Sequence, residues 1–437
     1  MSAFIFAWGF SAVISLAAYR ALRTGRIRSL LALALATVWF PAQFGELLHS
    51  PNSVFFPLDL AVAFAGVLFL QRKLSFRHPG FDARPLLVAA GVWPFLGSFL
   101  FATSSTQIAI CLINLYRLAG TLMLYEVVVD ECGGIDFRTM VEIGFRVTLL
   151  MLVTMALQGV GAIDTNIFDY AKNFDPLEYL RLVVDDPDFK FIVLGYFKAA
   201  QGIVFMVLLA LGLAAYTQKG RYWFIRGGLI TFGASVGLVL TGSKTSLVAA
   251  GAIMVAAWLS SQRRYRLAVP LVALALGVVG FVGYVLTSPD ASDYVNSTLY
   301  EYVKSGGSDV TTLNYRETRY QESLDTLLEH PLVLAGIYDE RFPLYSVDYF
   351  HSEYLSILML GGVVSVYLYL KFLLSLARAL YARRRDSPFA MAAWLALIGN
   401  AVQGLTVNQL EPGFVFVQSV AFSLFVYRMA LAERRGA

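Results

Sequence analysis

The chain has 437 residues, of which 58% are hydrophobic and only 15% are charged, whereas soluble proteins average about 45–50% apolar and about 25% charged residues. This composition excludes an ordinary soluble domain and indicates an integral membrane protein. The net charge of +4 is too small to indicate nucleic-acid binding, and the cations cluster at the ends of apolar segments, as membrane topology requires.

Apolar segments long enough to cross about 30 Å of hydrocarbon recur along the whole chain. We see no internal repeat and no soluble domain boundary between them, so residues 1–437 are expected to form a single transmembrane domain. The predicted fold class is all-α, a polytopic membrane protein with about 12–13 transmembrane helices. The thirteen candidate helices cover residues 3–19, 29–48, 54–70, 85–103, 106–128, 140–160, 195–216, 226–242, 244–260, 267–287, 351–377, 389–407 and 414–431.

The positively charged connections predict the orientation of these helices. Arginine and lysine cluster in alternate connections, which therefore lie in the cytoplasm by the positive-inside rule. The short connections 49–53, 104–105 and 408–413 contain no lysine or arginine, so they belong to the opposite face. This alternation predicts an N-terminus outside the cytoplasm and a C-terminus inside it.

Two connections on the outer face are long, at residues 161–194 and 288–350. Loops beyond about 12–15 residues are usually functional or disordered. Both loops contain aromatic clusters, and the second also has a helical pattern in its middle. We therefore predict that the two loops fold as a partly helical cap over the membrane domain.

The helical pattern in the second loop predicts where its arginines lie. Arg316, Tyr320, Leu324 and Leu327 recur at spacings of four, four and three, so they share one face of a helix. An apolar helical face packs inward, and an arginine on it either binds an anion or pairs with a carboxylate. Arg319 lies at the edge of this face, where a solvated charge is the alternative.

A histidine begins the eleventh predicted helix. His351 is one of only four histidines in the chain, and it follows an aromatic segment that contains Tyr349, while Tyr354 lies one turn further on. Tyrosine rings at this position suit stacking on sugars, and an interfacial aromatic belt is the alternative. For His351, the alternative to a functional role is an interfacial residue that caps the helix. Gly361-Gly362 is expected to let another helix approach closely.

Lysines at two helix starts face the same compartment. The turn Thr-Gly-Ser-Lys at 241–244 is so tight that Lys244 is expected at the outer interface. Together with Arg316 and His351 it would suit a pyrophosphate, whereas a snorkelling lysine is the alternative. Lys198, at the start of the seventh predicted helix, is a further candidate for the same role.

Ionisable residues also occur inside predicted helices, where such groups generally face the bundle interior or a cavity. Glu142 and Arg146 are four residues apart and can pair along one helix. A proton-coupled transporter is the alternative of another class. Against it, the two halves of the chain are not alike, and no pair of broken helices stands out in the sequence.

Several of these motifs occur in an order that resembles the O-antigen polymerase and ligase superfamily of bacterial envelope glycosyltransferases. The resemblance covers roughly residues 230–375. The family usually has Ser-Arg where this chain has Ser243-Lys244, and asparagine after the histidine where this chain has Ser352. The motifs are the 241–244 turn, Arg316-x-x-Arg319-Tyr320, His330-Pro331-Leu332, Ala335-Gly336, His351-Ser352-Glu353-Tyr354-Leu355 and Gly361-Gly362.

The resemblance implies a GT-C-type transfer that needs no metal and no cofactor. A glycan on undecaprenyl pyrophosphate would move, with inversion, to a sugar hydroxyl at the periplasmic face of the bacterial inner membrane. Pyrophosphate would be bound by Arg316 and Lys244, with Arg319 and Lys198 as further candidates. His351 would orient or deprotonate the acceptor hydroxyl.

The expected partners are the lipid-linked donor, membrane lipid and a chain-length regulator, and no nucleic acid is expected. A polymerase would use a lipid-linked repeat unit as acceptor, whereas a ligase would use lipid A-core. The two long outer loops, 161–194 and 288–350, favour the polymerase.

Overall fold

The computed structural model describes the following parts of the chain. They are residues 66–78, 81–101, 136–159, 198–241, 244–260 and 352–405, together with Ala63 and single positions within 108–130 and 318–328. The described helices, numbered in chain order, are α1 Arg84–Leu87, α2 Trp93–Phe101, α3 Phe137–Gly159, α4 Lys198–Tyr216, α5 Arg221–Leu240, α6 Lys244–Ser260, α7 Glu353–Arg383 and α8 Pro388–Gln403. A π-helical segment, Val88–Val92, joins α1 to α2. Two-residue strands, β1 Arg77–His78 and β2 Phe81–Asp82, pair antiparallel before α1.

An all-α polytopic membrane protein is confirmed. Within the described residues, three helical stretches are long and apolar enough to cross a membrane: Phe137–Leu157, Arg221–Leu240 and Gly361–Arg383. Shorter apolar helices are Arg84–Gly97, Gly202–Tyr216, Thr245–Ser260 and Pro388–Gln403. The predicted helices at 3–19, 29–48, 267–287 and 414–431 and the loops 161–194 and 288–350 lie wholly or largely outside the described residues. The total of 12–13 helices, the single domain and the cap therefore stay predictions.

Helix α4 is the centre of the described bundle. Its side chains are buried around its whole circumference: Phe205, Met206, Val207 and Leu208, which point in four successive directions about 100° apart, are all buried. Helices α3, α5, α6 and α8 all pack against it. A helix that is hydrophobic on every side is expected in such a central position.

Glycines bring α4 and α5 into backbone contact. The two helices are joined by Thr217–Gly220, where Gly220 has a φ of 112° that favours glycine. A Cβ atom on Gly227 would lie only 2.8 Å from the carbonyl oxygen of Gly212. Small residues permit this close packing between membrane helices, so α4 and α5 form a tight antiparallel hairpin.

Helix α7 is interrupted about two turns after its first residue. Gly361 (φ −151°, ψ 21°) and Gly362 (φ 63°, ψ −160°) have non-helical backbones. The positive φ of Gly362 is a conformation that glycine adopts at little cost. The break separates the short segment at 353–360 from the membrane-crossing stretch Gly361–Arg383, and the sequence did not predict it.

The break lies against the π-helical segment and α2. Trp93 Nε1 donates a hydrogen bond to the carbonyl oxygen of Gly361 at 3.2 Å, and Ser365 Oγ donates to the carbonyl oxygen of Ala89 at 2.6 Å. A Cβ atom on Gly361 would lie 3.0 Å from Trp93 Cδ1. The close approach expected at Gly361-Gly362 is therefore confirmed.

The other face of α7 carries large apolar side chains that no described helix covers. Val363, Tyr367, Leu370 and Leu374 are exposed and recur at spacings of four, three and four, so they lie on one side of the helix. An exposed apolar stripe on a membrane-crossing helix can face lipid or a further helix.

A charged cluster links α3 to α5. Glu142 Oε1 accepts hydrogen bonds from the hydroxyl of Tyr222 at 2.6 Å and from Nε of Arg226 at 3.1 Å. Glu142 therefore pairs with Arg226, and the possible pair with Arg146 is wrong. Spacing along a helix permitted that pair, but α5 brings two donors to the carboxylate from across the helix interface.

Candidate functional site

Five helix ends meet at one end of the described bundle. Because α4 and α5 are joined by the short connection Thr217–Gly220, and α5 and α6 by residues 241–243, successive helices run antiparallel. The first residues of α4 and α6, Lys198 and Lys244, therefore belong to the same end of the bundle. The first turn of α7 and the last turn of α8 lie at this end as well, as the contacts below show.

A buried polar contact joins α6 to α8. Gln403 Nε2 donates a hydrogen bond to Ser246 Oγ at 3.0 Å, and both side chains are fully buried. Asn400, one turn earlier on α8, is also buried. Ser246 follows Lys244 by two residues, so this contact ties the start of α6, with its lysine, to the end of α8.

The start of α7 is bonded to the same end of α8. The main-chain N–H of Glu353 donates to the carbonyl oxygen of Gly404 at 2.8 Å. One residue on, the hydroxyl of Tyr354 donates to the carbonyl oxygen of Ala401 at 3.1 Å. These two bonds place the first turn of α7 beside Gln403 and hence close to the start of α6.

Ser352 sets the direction in which the chain enters α7. Its backbone is extended (φ −153°, ψ 127°), and its side chain caps the helix by accepting a hydrogen bond from the N–H of Leu355. Serine is among the preferred N-cap residues because its short hydroxyl reaches this otherwise unpaired N–H. The serine that stands where the family usually has asparagine thus serves as the helix cap.

Glu353 is the most unusual residue at this end. It is only 1% exposed, and its Oε2 has no hydrogen-bond partner among the described residues. A Cβ atom on Gly404 would lie 3.1 Å from Oε2, so the glycine leaves the room that the carboxyl occupies. Burial raises the pKa of Glu353 to about 8, and the residue precedes the membrane-crossing stretch Gly361–Arg383.

The structure shows the side chain of one sequence-predicted site residue. Tyr354 is partly buried; its hydroxyl is bonded to α8, as described above, and its ring centroid lies 6.2 Å from that of Tyr369. These contacts give Tyr354 a packing role between α7 and α8. Its predicted contact with sugar stays a prediction.

The other predicted site residues are described in part or not at all. Lys198 and Lys244 are seen as the first residues of their helices, without their side chains. The four remaining residues, Arg316, Arg319, Tyr349 and His351, lie outside the described residues. His351 directly precedes Ser352, so chain connectivity puts it next to the first turn of α7.

Four positions of the second outer loop are described. Thr318, Gln321, Asp325 and Leu328 are helical and exposed, and their spacings of three, four and three put them on one face. This face differs from the one predicted to point inward with Arg316. The placement of Arg316 on an inward face stays a prediction.

Glu353 is the residue at this end that sequence analysis did not single out. The available signal was an acidic side chain at the start of an apolar helix, two residues after His351. That signal is weak, because an acidic residue in the first turn of a helix is favourable for the helix dipole alone. Its burial depends on Gly404, which is distant in sequence.

Comparison with known proteins identifies the part of the chain that carries this site. The sequence model of a family described as O-Antigen ligase matches residues 229–370. No curated protein matches the chain. The matched segment includes Lys244, Arg316, His351 and Glu353. This match supports a relation of residues 229–370 to the O-antigen polymerase and ligase superfamily.

Proposed function

We propose that the protein is a glycosyltransferase that polymerises undecaprenyl-pyrophosphate-linked oligosaccharide repeat units of O-antigen or a related surface polysaccharide. One observation carries the proposal: the family match at 229–370 spans the bundle end at which α6 begins with Lys244 and α7 begins after His351. The proposed location is the bacterial inner membrane, with the site facing the periplasm, and a chain-length regulator is a proposed partner.

The cations act on the donor in this proposal. The bond between the anomeric carbon and the pyrophosphate oxygen breaks, and its electron pair leaves with the pyrophosphate. Arg316 and Lys244 stabilise the charge that grows on this leaving group, with Arg319 and Lys198 as further contacts. Cations fixed in place before the reaction are an effective source of such electrostatic stabilisation. Arginine can also bind two phosphate oxygens at once.

The histidine acts on the acceptor. His351 takes the proton of the attacking sugar hydroxyl, a task for which the ordinary pKa range of imidazole is suited. Tyr349 and Tyr354 contribute to the sugar-binding surface beside it. Attack from the side opposite the pyrophosphate inverts the anomeric centre.

A polymerase and a ligase differ in the acceptor. The long outer loops 161–194 and 288–350 support a polymerase, which must hold two lipid-linked glycans. A ligase that transfers the glycan to lipid A-core is the second candidate, and the description of the matched family, O-Antigen ligase, favours it.

The deciding experiment supplies purified protein with lipid-linked repeat units alone and, in parallel, with lipid A-core. We expect a ladder of longer lipid-linked products in the first reaction. Product that forms only when lipid A-core is present would instead assign ligase activity. A His351→Ala variant is the matched inactive control. Absence of product from the native protein in both reactions would contradict the proposed function.

Metal independence is tested in the same reaction by adding EDTA. The proposal expects full turnover, because the cations that stabilise the leaving group are side chains. Asp186 and Asp188 form an Asp-x-Asp pair in the first outer loop, outside the described residues. Loss of turnover that Mg²⁺ or Mn²⁺ restores would overturn the cation-only mechanism.

A transporter remains the candidate of another class, and the break of α7 at Gly361-Gly362 is the observation that favours it. Discontinuous helices are frequent at transporter binding sites, where they commonly occur in pairs. Proteoliposomes separate the two activities. A transporter would move the lipid-linked glycan or a small anionic substrate across the membrane without changing the length of the glycan.

A further inference from the structure

Helices α3 and α5 begin side by side, at the end of the bundle opposite the start of α6. The ring of Phe137, the first residue of α3, packs against the rings of Trp223 in α5 and Phe389 in α8. Further along, a Cβ atom on Gly233 of α5 would lie 2.6 Å from Cγ2 of Thr148 in α3. The two helices therefore run parallel from this end, which the positive-inside rule predicts to face the cytoplasm.

A row of charged side chains follows α3 beside this contact. Arg138, Glu142 and Arg146 recur at spacings of four, so they share one side of the helix. Helix α5 interacts with the first two: Cζ of Arg138 lies 4.6 Å from the centroid of the Tyr222 ring, and Glu142 accepts hydrogen bonds from Tyr222 and Arg226. The charge of Glu142 is therefore paired with α5 and not with Arg146.

Arg146 is the unusual member of this row. It is exposed, and it makes no ion pair or hydrogen bond within the part of the chain that the structure describes. It lies about 13 Å along the helix from Phe137, inside the membrane-crossing stretch Phe137–Leu157. A charged side chain at this depth is costly unless it reaches the interface or an opposite charge. Because helical side chains lean toward the N-terminus of their helix, we expect this guanidinium to extend back toward Arg138.

Apolar side chains continue the same surface toward the centre of the membrane. Leu149 and Val153 follow Arg146 at spacings of three and four, so they lie on its side of α3, and they are 51% and 46% exposed. Leu229 on α5 is also exposed. It lies one turn beyond the ion pair that joins the two helices, as Arg146 does on α3. The exposed arginine thus stands at the border between a cationic and an apolar surface.

We propose that the α3–α5 face, formed by Arg138, Arg146, Leu149, Val153 and Leu229, binds an anionic phospholipid of the adjacent leaflet. The lipid phosphate contacts Arg146, and Arg138 adds a second positive charge. An acyl chain lies along the three apolar side chains. An arginine suits this role because its guanidinium can bind two phosphate oxygens at once. The proposal concerns the end of the bundle that glycan transfer does not use, and it does not rest on the proposed function.

The local charge favours a headgroup with a net negative charge. Residues 136–146 and 217–226 carry five cations against two carboxylates. They are Arg138, Arg146, Lys219, Arg221 and Arg226, and Asp136 and Glu142. A zwitterionic headgroup would leave this excess of positive charge without compensation. Basic sites between membrane helices on the cytoplasmic side are known to bind anionic headgroups.

Photo-crosslinking tests the site in the native protein without requiring activity. Purified protein is given phosphatidylglycerol that carries a diazirine in one acyl chain, and the crosslinked residues are identified by mass spectrometry. We expect crosslinks at Leu149, Val153 or Leu229. An excess of unlabelled phosphatidylglycerol should remove them, whereas phosphatidylethanolamine should not. Equal competition by the two lipids, or competition by inorganic phosphate alone, would overturn the proposal.

Substitution of Arg146 tests the phosphate contact. Arg146→Gln should lower the crosslinking yield by about 10-fold, as expected for the loss of one charge-assisted contact. Arg146→Lys should retain part of the yield, because the charge remains but the two-pronged contact is lost. Arg378→Gln is the matched control, since Arg378 is an exposed arginine of the membrane-crossing stretch of α7 outside the α3–α5 face. An unchanged yield in Arg146→Gln, or an equal loss in the control, would contradict the assignment.

A photoreactive amino acid in place of Leu149 identifies whatever lies against the α3–α5 face. Leu149 is exposed, so the replacement should leave the fold intact, which melting temperature and monodispersity check. We expect crosslinks to phospholipid. Crosslinks to a second copy of the chain, or to another segment of the same chain, would show that a helix covers this face and would overturn the lipid proposal.

Discussion

The main-chain N–H of Glu353 donates a 2.8 Å hydrogen bond to the carbonyl oxygen of Gly404, which joins the first turn of α7 to the end of α8. Because the neighbouring Gln403 is bonded to Ser246, the ends of α6, α7 and α8 are held together. The chain passes from His351 directly into this junction. The described part of α7 thus begins, at Ser352, from a main chain that is bonded to α8.

The buried carboxyl of Glu353 predicts a pH-dependent stability. Its pKa is raised from 4.5 to about 8, so the folded protein keeps this proton at pH values at which the unfolded chain has lost it. Stability should therefore fall as the pH rises from about 4.5 to about 8. Melting temperatures in detergent at pH 5 and pH 8 measure this loss. Glu353→Gln should show a smaller difference, and an equal difference in both proteins would contradict the prediction.

The close packing at the break of α7 predicts that any side chain larger than glycine at position 361 lowers the stability of the protein. A methyl group there would overlap the Ser365 hydroxyl and come within 3.0 Å of Trp93 Cδ1, so Gly361→Ala should destabilise the protein by about 1–3 kcal/mol. Gly251 in α6 is the matched control, because a Cβ atom there meets nothing within 4 Å. Gly251→Ala should stabilise by about 0.5–1 kcal/mol. Thermal unfolding measures both, and similar changes in the two variants would exclude the packing explanation.

The predicted inward position of Arg316 distinguishes it from Arg319. Arg316→Ala should lower the transfer rate by at least about 100-fold, the usual loss on removing a group that stabilises transition-state charge. Arg316→Lys should recover little, because a point charge cannot bind two phosphate oxygens as a guanidinium does. Arg319→Ala should cost less. Product formation is compared with monodispersity and melting temperature. A folded, active Arg316→Ala protein would locate the site elsewhere.

Exchanging lysine and arginine should have a different effect at Lys244, the first residue of α6, from its effect at Arg316. Lys244→Arg keeps the charge and restores the residue usual in the family, so turnover should be maintained or increased. Lys244→Ala should raise KM for the donor, because a cation near the pyrophosphate is lost. Initial rates over a range of donor concentrations give both parameters. If KM in Lys244→Ala equals that of the native protein, the lysine only snorkels to the interface.

The predicted orientation is tested by labelling cysteines in intact cells. Cys111 and Cys132 are first replaced by serine, and single cysteines are then placed at Ser308, in the second outer loop, or at Arg385. Arg385 is exposed, whereas its neighbour Ser387 is buried and caps α8. An impermeant reagent should label position 308 alone. Labelling at 385 but not at 308 would reverse the topology argued from the positive charges.

Hydropathy predicted the helix positions well because it depends on local composition. The predicted segment 244–260 has the same bounds as α6, and 389–407 overlaps α8 over nearly its whole length. The break of α7 was missed for a physical reason. A Gly-Gly pair permits a non-helical backbone, but here the break is accompanied by contacts with Ala89 and Trp93, which lie far away in sequence.

The polar contacts also show that partners distant in sequence cannot be predicted from local spacing. A spacing of four residues suggested Arg146 as the partner of Glu142, whereas Arg226 and Tyr222 reach it from a helix about eighty residues later. Periodicity can place a side chain on a face, but it cannot identify the helix that packs against that face. The burial of Glu353 cannot be predicted from the sequence for the same reason, because Gly404, which is distant in sequence, determines its environment.

The burial of α4 on every side has a consequence for the order in which the protein is assembled. Because chains are synthesised from the N-terminus, α4 and its hairpin partner α5 enter the membrane long before α8 is made. Until then, the side of α4 that α8 finally covers must face lipid or a transient neighbour. The last described helix, which packs against both α4 and α6, therefore completes the part of the bundle that the structure describes. If synthesis stopped before residue 388, the membrane would contain an incomplete bundle. The first turn of α7 would then lack its hydrogen bond to Gly404.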